Sequence, residues 1–162
     1  MPSGAMHSEN RVTLSVFRVG ESLFALDVAQ VREVVRWMPV TPLPKAPRLI
    51  EGVVDLRGAV VPVVDLSRAL GGAGVTESAT ARIAIVDVDG LVMGLRVDAA
   101  VEVLLADAAM LEDPPALATQ AGYDATRAVV RRPDAAPVLV LSLDHVLESV
   151  YRSALGSQED AA

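Results

Sequence analysis

The side chains of this 162-residue chain that could do chemistry gather near its C-terminal end. His145 and Glu148 form an H-x-x-E pair, and on a helix that spacing could place two metal ligands on one face. No third ligand lies nearby, so an ordinary helix surface explains the pair better. Ser142 and Asp144 adjoin His145, but residues so close at a helix start cannot form a serine–histidine–carboxylate chain. Helix capping explains both better.

Other kinds of site find no more support. Gly71, Gly72 and Gly74 follow a predicted helix instead of opening one, and no Gly-Lys-Ser/Thr comes after them, which argues against a phosphate-binding loop. Carboxylates are plentiful, but the sequence pairs none of them for acid–base work. The chain has no cysteine, which excludes thiolate metal sites. We therefore expect no catalytic activity, no cofactor and no metal.

Composition narrows the classes of partner. The net charge of −7 and the aromatic fraction of 3% disfavour nucleic-acid binding, which needs basic surface and often stacking rings. No segment approaches the roughly 18 apolar residues of a membrane helix, and the first residues lack signal-peptide features. We expect a cytoplasmic protein without direct membrane insertion. We also expect a disordered leader over residues 1–10 and an acidic tail over 156–162.

Apolar residues at alternating positions indicate short strands. Residues 11–18 alternate and 22–26 return after a turn, while Asp89-Gly90 joins two apolar runs as a predicted hairpin. Residues 127–132 and 137–143 form another predicted strand pair. Such short strands, separated by turn signals, predict an all-β protein built as small barrels or a sandwich. Residues 101–105 are expected to continue the sheet of the Asp89-Gly90 hairpin, and residues 71–80 to form a linker.

One helical turn is predicted before Pro114-Pro115, which end it, and four other short helices are predicted between and after the strands. Their predicted positions are a turn led by Asp27 with Val28, Val31 and Val35 on one face, a turn begun by Pro47, a turn capped by Asp65 or Ser67 and stopped by Gly71, and an amphipathic helix over residues 144–155 ended by Gly156.

The segment GVVDLRGAVVPVVDL, residues 52–66, reads as strand, turn and strand. Gly58 suits a tight reversal because it accepts positive φ, and Pro62 implies a local sheet edge or a bulge. Arg57 sits at the tip of this apolar hairpin, where its guanidinium must find water, an acid or a partner protein. The residues alone leave those alternatives open.

This segment closely resembles the G-V-x-N-L-R-G-x-x-x-P-x-x-D-L signature of the CheW family, the adaptors of bacterial chemosensory systems. LSVFRVGESLFALDVAQVREVV resembles the start of that family, and GLVMGLRVDAAVEVL is similar to its later G-x-x-x-G-l-x-V-D-x-V-x-e-V-l element. The resemblance covers roughly residues 13–147. Asp55 stands where the family usually has asparagine.

The resemblance implies an all-β fold of two SH3-like five-stranded barrels with a few short helices, forming one domain over residues 11–155. It implies a non-enzymatic adaptor whose partners are the regulatory domain of a CheA-type histidine kinase, the cytoplasmic tips of chemoreceptors and other CheW-like proteins. Receptor helices would dock in a groove between the barrels, the kinase would contact the barrel ends, and the protein would be recruited to membrane-associated receptor arrays.

The implied partner-binding residues are Val31, Glu33, Arg57 and Gly58. Arg57 matches the family arginine important for receptor coupling, and Glu33 matches the acid that can pair with it. Two structural alternatives stay open, since Val31 could belong to the core and the Glu33–Arg57 pair could simply hold the hairpin.

Two other functions remain as alternatives. A divergent CheW-like protein could have lost receptor or kinase binding and serve another motility or pilus pathway. A small ligand-binding barrel protein is the weaker alternative.

Overall fold

The computed structural model describes residues 11–115 and 125–161, with side chains described as far as residue 153. The predicted leader therefore lies outside the described residues. Most of the described chain is β-strand, in two sheets, so the all-β prediction is confirmed. The first sheet contains six strands in the order β8-β1-β2-β11-β10-β9, and the second contains five in the order β3-β6-β7-β5-β4.

The strands of the first sheet are β1 (Arg11–Val19), β2 (Ser22–Asp27), β8 (Ala99–Asp107), β9 (Leu111–Glu112), β10 (Thr126–Arg132) and β11 (Ala135–Leu141). Those of the second sheet are β3 (Val31–Arg36), β4 (Ile50–Leu56), β5 (Ala59–Asp65), β6 (Arg82–Val88) and β7 (Leu91–Val97). The α-helices within the described residues are α1 (Leu66–Ala69) and α2 (Leu143–Ala161). The sixth strand of the first sheet, β9, has only two residues.

The chain crosses between the sheets twice. It leaves the first sheet through a 3-10 turn at Val28–Gln30 and returns to it at Asp98, after β7. As a result β8 pairs antiparallel with β1. The prediction that residues 101–105 continue the hairpin sheet is therefore wrong. The predicted linker over residues 71–80 connects α1 to β6, so it lies between strands of the second sheet and does not join the two sheets.

The helix predicted after Asp27 is also wrong beyond its first turn. Asp27 does cap a turn, since its carboxylate accepts a hydrogen bond from Ala29 N at 2.9 Å. From Val31 onward the chain is β3, paired with β6. The valines here fit a helical spacing, but their branched side chains pack well on a pleated surface and the sheet prevails.

Two further helix predictions need correction. No helix begins at Pro47. Ile50 N donates to Pro47 O at 2.9 Å in a turn, and β4 starts at Ile50. Helix α2 does not end at Gly156 but continues to Ala161. The cap predicted at Asp65 is confirmed, because its carboxylate accepts from Arg68 N at 3.1 Å at the start of α1.

Pro62 lies at a local sheet edge, as its missing amide proton requires. Its partner on β4 is Val53, whose backbone exchanges hydrogen bonds of 2.8 and 2.9 Å with Thr41 on the opposite side. The pairing of β5 with β7 begins only at Val63. The sheet therefore needs no backbone hydrogen-bond donor at Pro62.

The largest core cluster is built by both sheets together. Phe17 and Leu26 from the first sheet pack with Val86 and Leu95 from the second, and Val146 of α2 joins them. Each sheet also encloses a smaller apolar cluster of its own. The shared core fixes the two sheets relative to each other, because separating them would expose these side chains to water.

A buried ionic cluster lies between β4, β5 and β7. Arg96 pairs with Glu51 at 2.7 Å, and these side chains are only 10% and 20% exposed. The Arg96 guanidinium also lies 3.8 Å from the centroid of the Trp37 ring. Burial raises the pKa of Glu51, and the neighbouring Asp65 carboxyl adds to that increase while Arg96 opposes it. The cluster thus joins β7 to β4 through the Arg96–Glu51 pair, with Asp65 of β5 beside Glu51.

No helix within the described residues is long and apolar enough to span a bilayer.

Candidate functional site

The site begins with the two-residue turn between β4 and β5. Leu56 pairs with Ala59, so Arg57 and Gly58 form the whole loop. Both have positive φ, 51° at Arg57 and 89° at Gly58, as in the type I′ turn that matches the twist of a hairpin. The predicted reversal is confirmed, but the left-handed conformation of Arg57 was not foreseen.

Asp55 stabilises this turn from the preceding strand. Its carboxylate accepts a hydrogen bond from Gly58 N at 2.8 Å. An asparagine side-chain oxygen could accept the same bond. The change from the family's usual asparagine therefore keeps the turn and adds a negative charge beside Arg57.

Arg57 is held by Glu33 of β3 in a bidentate ion pair. Arg57 Nη1 donates to Glu33 Oε1 at 3.1 Å, and Nη2 donates to Oε2. The side chains are 69% and 33% exposed, so the guanidinium remains open to solvent while its orientation is fixed. The hydrogen bond from Arg57 lowers the pKa of Glu33, and the same contact raises the pKa of Arg57.

The conformation of Arg57 makes it an unusual choice for this position. A long side chain with φ near 51° is strained, whereas asparagine or glycine adopts that conformation readily. A solvent-exposed ion pair adds little to the stability of a fold, so it does not outweigh the cost of holding a non-glycine residue in the left-handed conformation. Fold stability alone does not explain an arginine here.

Val31 and Gly58 occupy different environments around this pair. Val31 opens β3 opposite Val86 and packs, half-buried, against the largest core cluster. Gly58 is exposed in the turn. A register shift separates Val31 from Glu33 along β3. The structure thus brings Glu33, Arg57 and Gly58 together and places Val31 at the edge of the core.

Exposed apolar side chains form two surfaces that sequence reasoning missed. Val101, Val103 and Leu105 alternate along β8, the terminal strand of the first sheet, and Val103 is 67% exposed. Val60 follows the Arg57 turn and is 71% exposed. Leu91 opens β7, which runs parallel to β5, so it lies at the same end of the sheet as Val60 and is also exposed. Contiguous exposed apolar surface often marks a docking site.

The candidate residues for chemistry have other contacts. His145 Nδ1 lies 2.9 Å from Ser142 Oγ, and Glu148 pairs with Arg152 at 2.6 Å. Within the described residues, no group of three or more histidine, aspartate and glutamate side chains could hold a metal ion.

The Glu33–Arg57 pair makes the stability of the fold depend on pH. Because the pKa of Glu33 is lowered, the folded state binds this proton less readily than the unfolded state, whose pKa is near 4.5. The contribution is present above that value and is lost as the pH falls through the folded pKa. An NMR titration of the Glu33 side-chain carboxyl should therefore show a midpoint below 4.5 that rises in Arg57→Gln. An unchanged midpoint in that variant would contradict the pairing.

Comparison with known proteins places these features in a family. A family model described as the CheW-like domain matches residues 13–151. The chain is 34% identical over 155 residues to "Chemotaxis protein CheW" of Rhizobium meliloti (strain 1021), covering 95% of this chain and 99% of that protein. It is 26% identical over 129 residues to "Chemotaxis protein CheW" of Treponema pallidum (strain Nichols), covering 77% and 76% of the two chains.

The fold also matches a solved structure. The crystal structure of "scaffolding protein TtCheW" from Thermoanaerobacter tengcongensis superposes with a TM-score of 0.75 at 32% sequence identity. The match covers 85% of this chain and 92% of that one.

Proposed function

This chain belongs to the CheW-like family, and on that premise we propose that it is a non-enzymatic adaptor that couples chemoreceptors to a CheA-type histidine kinase. The observation that carries the proposal is the exposed, strained Arg57, oriented by Glu33 at a hairpin tip. An arginine whose conformation costs stability but whose guanidinium faces solvent is best explained by a partner that it contacts. The names of the matched relatives favour chemotaxis over the divergent and ligand-binding alternatives.

Two surfaces serve the two partners in this proposal. The kinase regulatory domain contacts the exposed side chains of Val60 on β5 and Leu91 on β7, whereas the Arg57 side chain pairs with Glu33 on β3. Receptor helices dock along the groove that starts where the chain crosses between barrels, against Val31 and the outer face of β8. Aliphatic side chains with a polar rim suit a helical partner laid into a groove. Arg57 and Glu33 supply that polar rim and influence receptor coupling.

The setting follows from the partners. The protein works in the cytoplasm, is recruited to receptor arrays through these contacts, and could meet other CheW-like proteins there. The adaptor needs no chemistry of its own, since bridging two proteins requires only two complementary surfaces.

Separate binding measurements test the two surfaces. The purified chain is titrated calorimetrically with the regulatory domain of its cognate kinase and, in a second experiment, with the receptor signalling tip. We expect both to bind. Val60→Glu should weaken kinase binding at least about tenfold and leave receptor binding intact, because it buries a charge in only one interface. Val103→Glu should weaken receptor binding by a similar factor and leave kinase binding intact.

Each of these variants is the control for the other, and both replaced side chains are exposed, so the fold should survive both changes. If neither partner binds the unmodified chain, the adaptor function is refuted. Equal weakening of both partners by both variants would refute the division into two surfaces.

A further inference from the structure

Two arginines lie opposite each other where β3 ends and β6 begins. Arg36 is directly opposite Arg82 in the antiparallel register, so the two side chains share one face of the sheet. Like charges placed opposite each other repel and destabilise a sheet. Among the described side chains, neither arginine forms an ion pair with a carboxylate, although the whole chain carries an excess of acidic residues. No carboxylate therefore offsets this repulsion among the described side chains.

The neighbouring loop holds Arg82 in place. Arg82 Nη1 donates to Ala79 O at 3.0 Å and to Ala81 O at 2.8 Å. The loop itself is fixed by Ser78, whose hydroxyl accepts from Ala81 N at 3.1 Å. In the described structure Arg82 Nε and Nη2 make no hydrogen bond, so this guanidinium is positioned with donors still available.

The two arginines line a cleft of about 300 Å³ together with Trp37 and Ser78. Arg96 also lies against the Trp37 ring, but its charge is already paired with Glu51. The free positive charge of the cleft therefore comes from Arg36 and Arg82. Two guanidinium groups side by side present the planar forks that suit a carboxylate.

We propose that this cleft binds a carboxylate presented by an acidic segment of a partner protein. A polypeptide suits the site better than a free anion because β3 is the terminal strand of its sheet, so one edge of its backbone has no strand partner among the described residues. Val34, two residues before Arg36 on the same face, is exposed and offers apolar contact beside the charge. The site lies at the far end of β6 from the Asp89-Gly90 hairpin, and it goes beyond the adaptor contacts proposed above.

Trp37 is the only tryptophan in the chain and lines this cleft, so its fluorescence gives a local signal for binding there. The purified full chain is titrated with a hexaglutamate peptide at low ionic strength, with hexaglutamine as the uncharged control. We expect a saturable change of the Trp37 signal with hexaglutamate and none with hexaglutamine. Arg36→Gln and Arg82→Gln should each weaken binding about tenfold. Arg127→Gln should not, since Arg127 is an exposed arginine on β10 that forms no ion pair with the described side chains.

Thermal melts of each variant check the fold, and Arg36→Gln, at an exposed position, keeps the test valid if Arg82→Gln fails to fold. The absence of a response to hexaglutamate overturns the proposal. Equal weakening by Arg127→Gln also overturns it, because binding would then be nonspecific. The same response to inorganic phosphate at matched concentrations would show that a free anion is the ligand and would overturn the protein-docking assignment.

Discussion

Replacing Arg96 with alanine is expected to lower the free energy of unfolding by roughly 3–5 kcal/mol. Arg96 is the charge partner of the largely buried Glu51 and stacks on Trp37, so its removal leaves a mostly desolvated carboxylate without its paired cation. Breaking one side of a buried pair costs far more than the pair contributes, because the remaining charge stays desolvated. Urea unfolding monitored by circular dichroism measures the change.

The pH dependence of that loss distinguishes an unpaired charge from a simple cavity. Glu51 already has a raised pKa, and losing Arg96 should raise it further. Below about pH 4.5, where the unfolded carboxyl is also protonated, the variant should recover part of its stability; the loss grows as the pH rises toward neutral. Arg152→Ala, which removes only the exposed pair with Glu148, should cost ~0–1 kcal/mol. A loss in Arg96→Ala no greater than in this control would show that the buried cluster does not stabilise the fold.

Replacing Arg57 with asparagine is expected to separate docking from folding. Asparagine adopts the left-handed turn conformation with less strain than arginine, and only an exposed ion pair is lost. The free energy of unfolding should therefore stay close to that of the unmodified chain. Receptor binding should weaken at least about tenfold, as expected when an interface arginine with much of the binding energy is removed.

Calorimetric titration with the receptor signalling tip measures the affinity, and urea unfolding measures the free energy of unfolding. Arg131→Gln, an exposed arginine paired with Glu112 in the other barrel, is the matched control and should change neither. If Arg57→Asn instead lost several kcal/mol of stability, Arg57 would be a structural residue. Unchanged receptor binding in a stable Arg57→Asn variant would refute its assigned role.

Local turn chemistry explains why much of the fold was predictable. Asp89-Gly90 fixes a two-residue hairpin, and Gly58 permits the reversal after Arg57. The helix caps were equally predictable from the sequence, since the carboxylates of Asp27 and Asp65 each accept a hydrogen bond from a backbone amide two or three residues later. These signals act over two to four residues, and short-range geometry determines them.

The wrong predictions concern segments whose secondary structure or strand partner is determined by residues distant in the sequence. Residues 28–35 carry valines that fit both a helix and a strand, and only the pairing of β3 with β6 selects the strand. Nothing within residues 101–105 signals that the partner is β1, almost ninety residues earlier. Long-range pairing depends on the whole barrel closing, which local periodicity does not encode.

The candidate site divides in the same way. The Glu33–Arg57 contact joins residues 24 positions apart and was expected only through the family resemblance. The strain at Arg57 and the Arg36–Arg82 juxtaposition emerge only from backbone geometry and strand register. The apolar face of β8 is likewise visible as a surface only once its sheet is known to end there.

As an adaptor, one molecule of this protein should bind the kinase and the receptor at the same time. The direct measurement is size-exclusion chromatography with multi-angle light scattering of the cognate kinase regulatory domain and receptor signalling tip, with and without this chain. Simultaneous use of two surfaces predicts a single species that contains all three proteins and disappears when this chain is omitted. Two separate binary complexes that never combine, with either partner displacing the other, would contradict the bridging function.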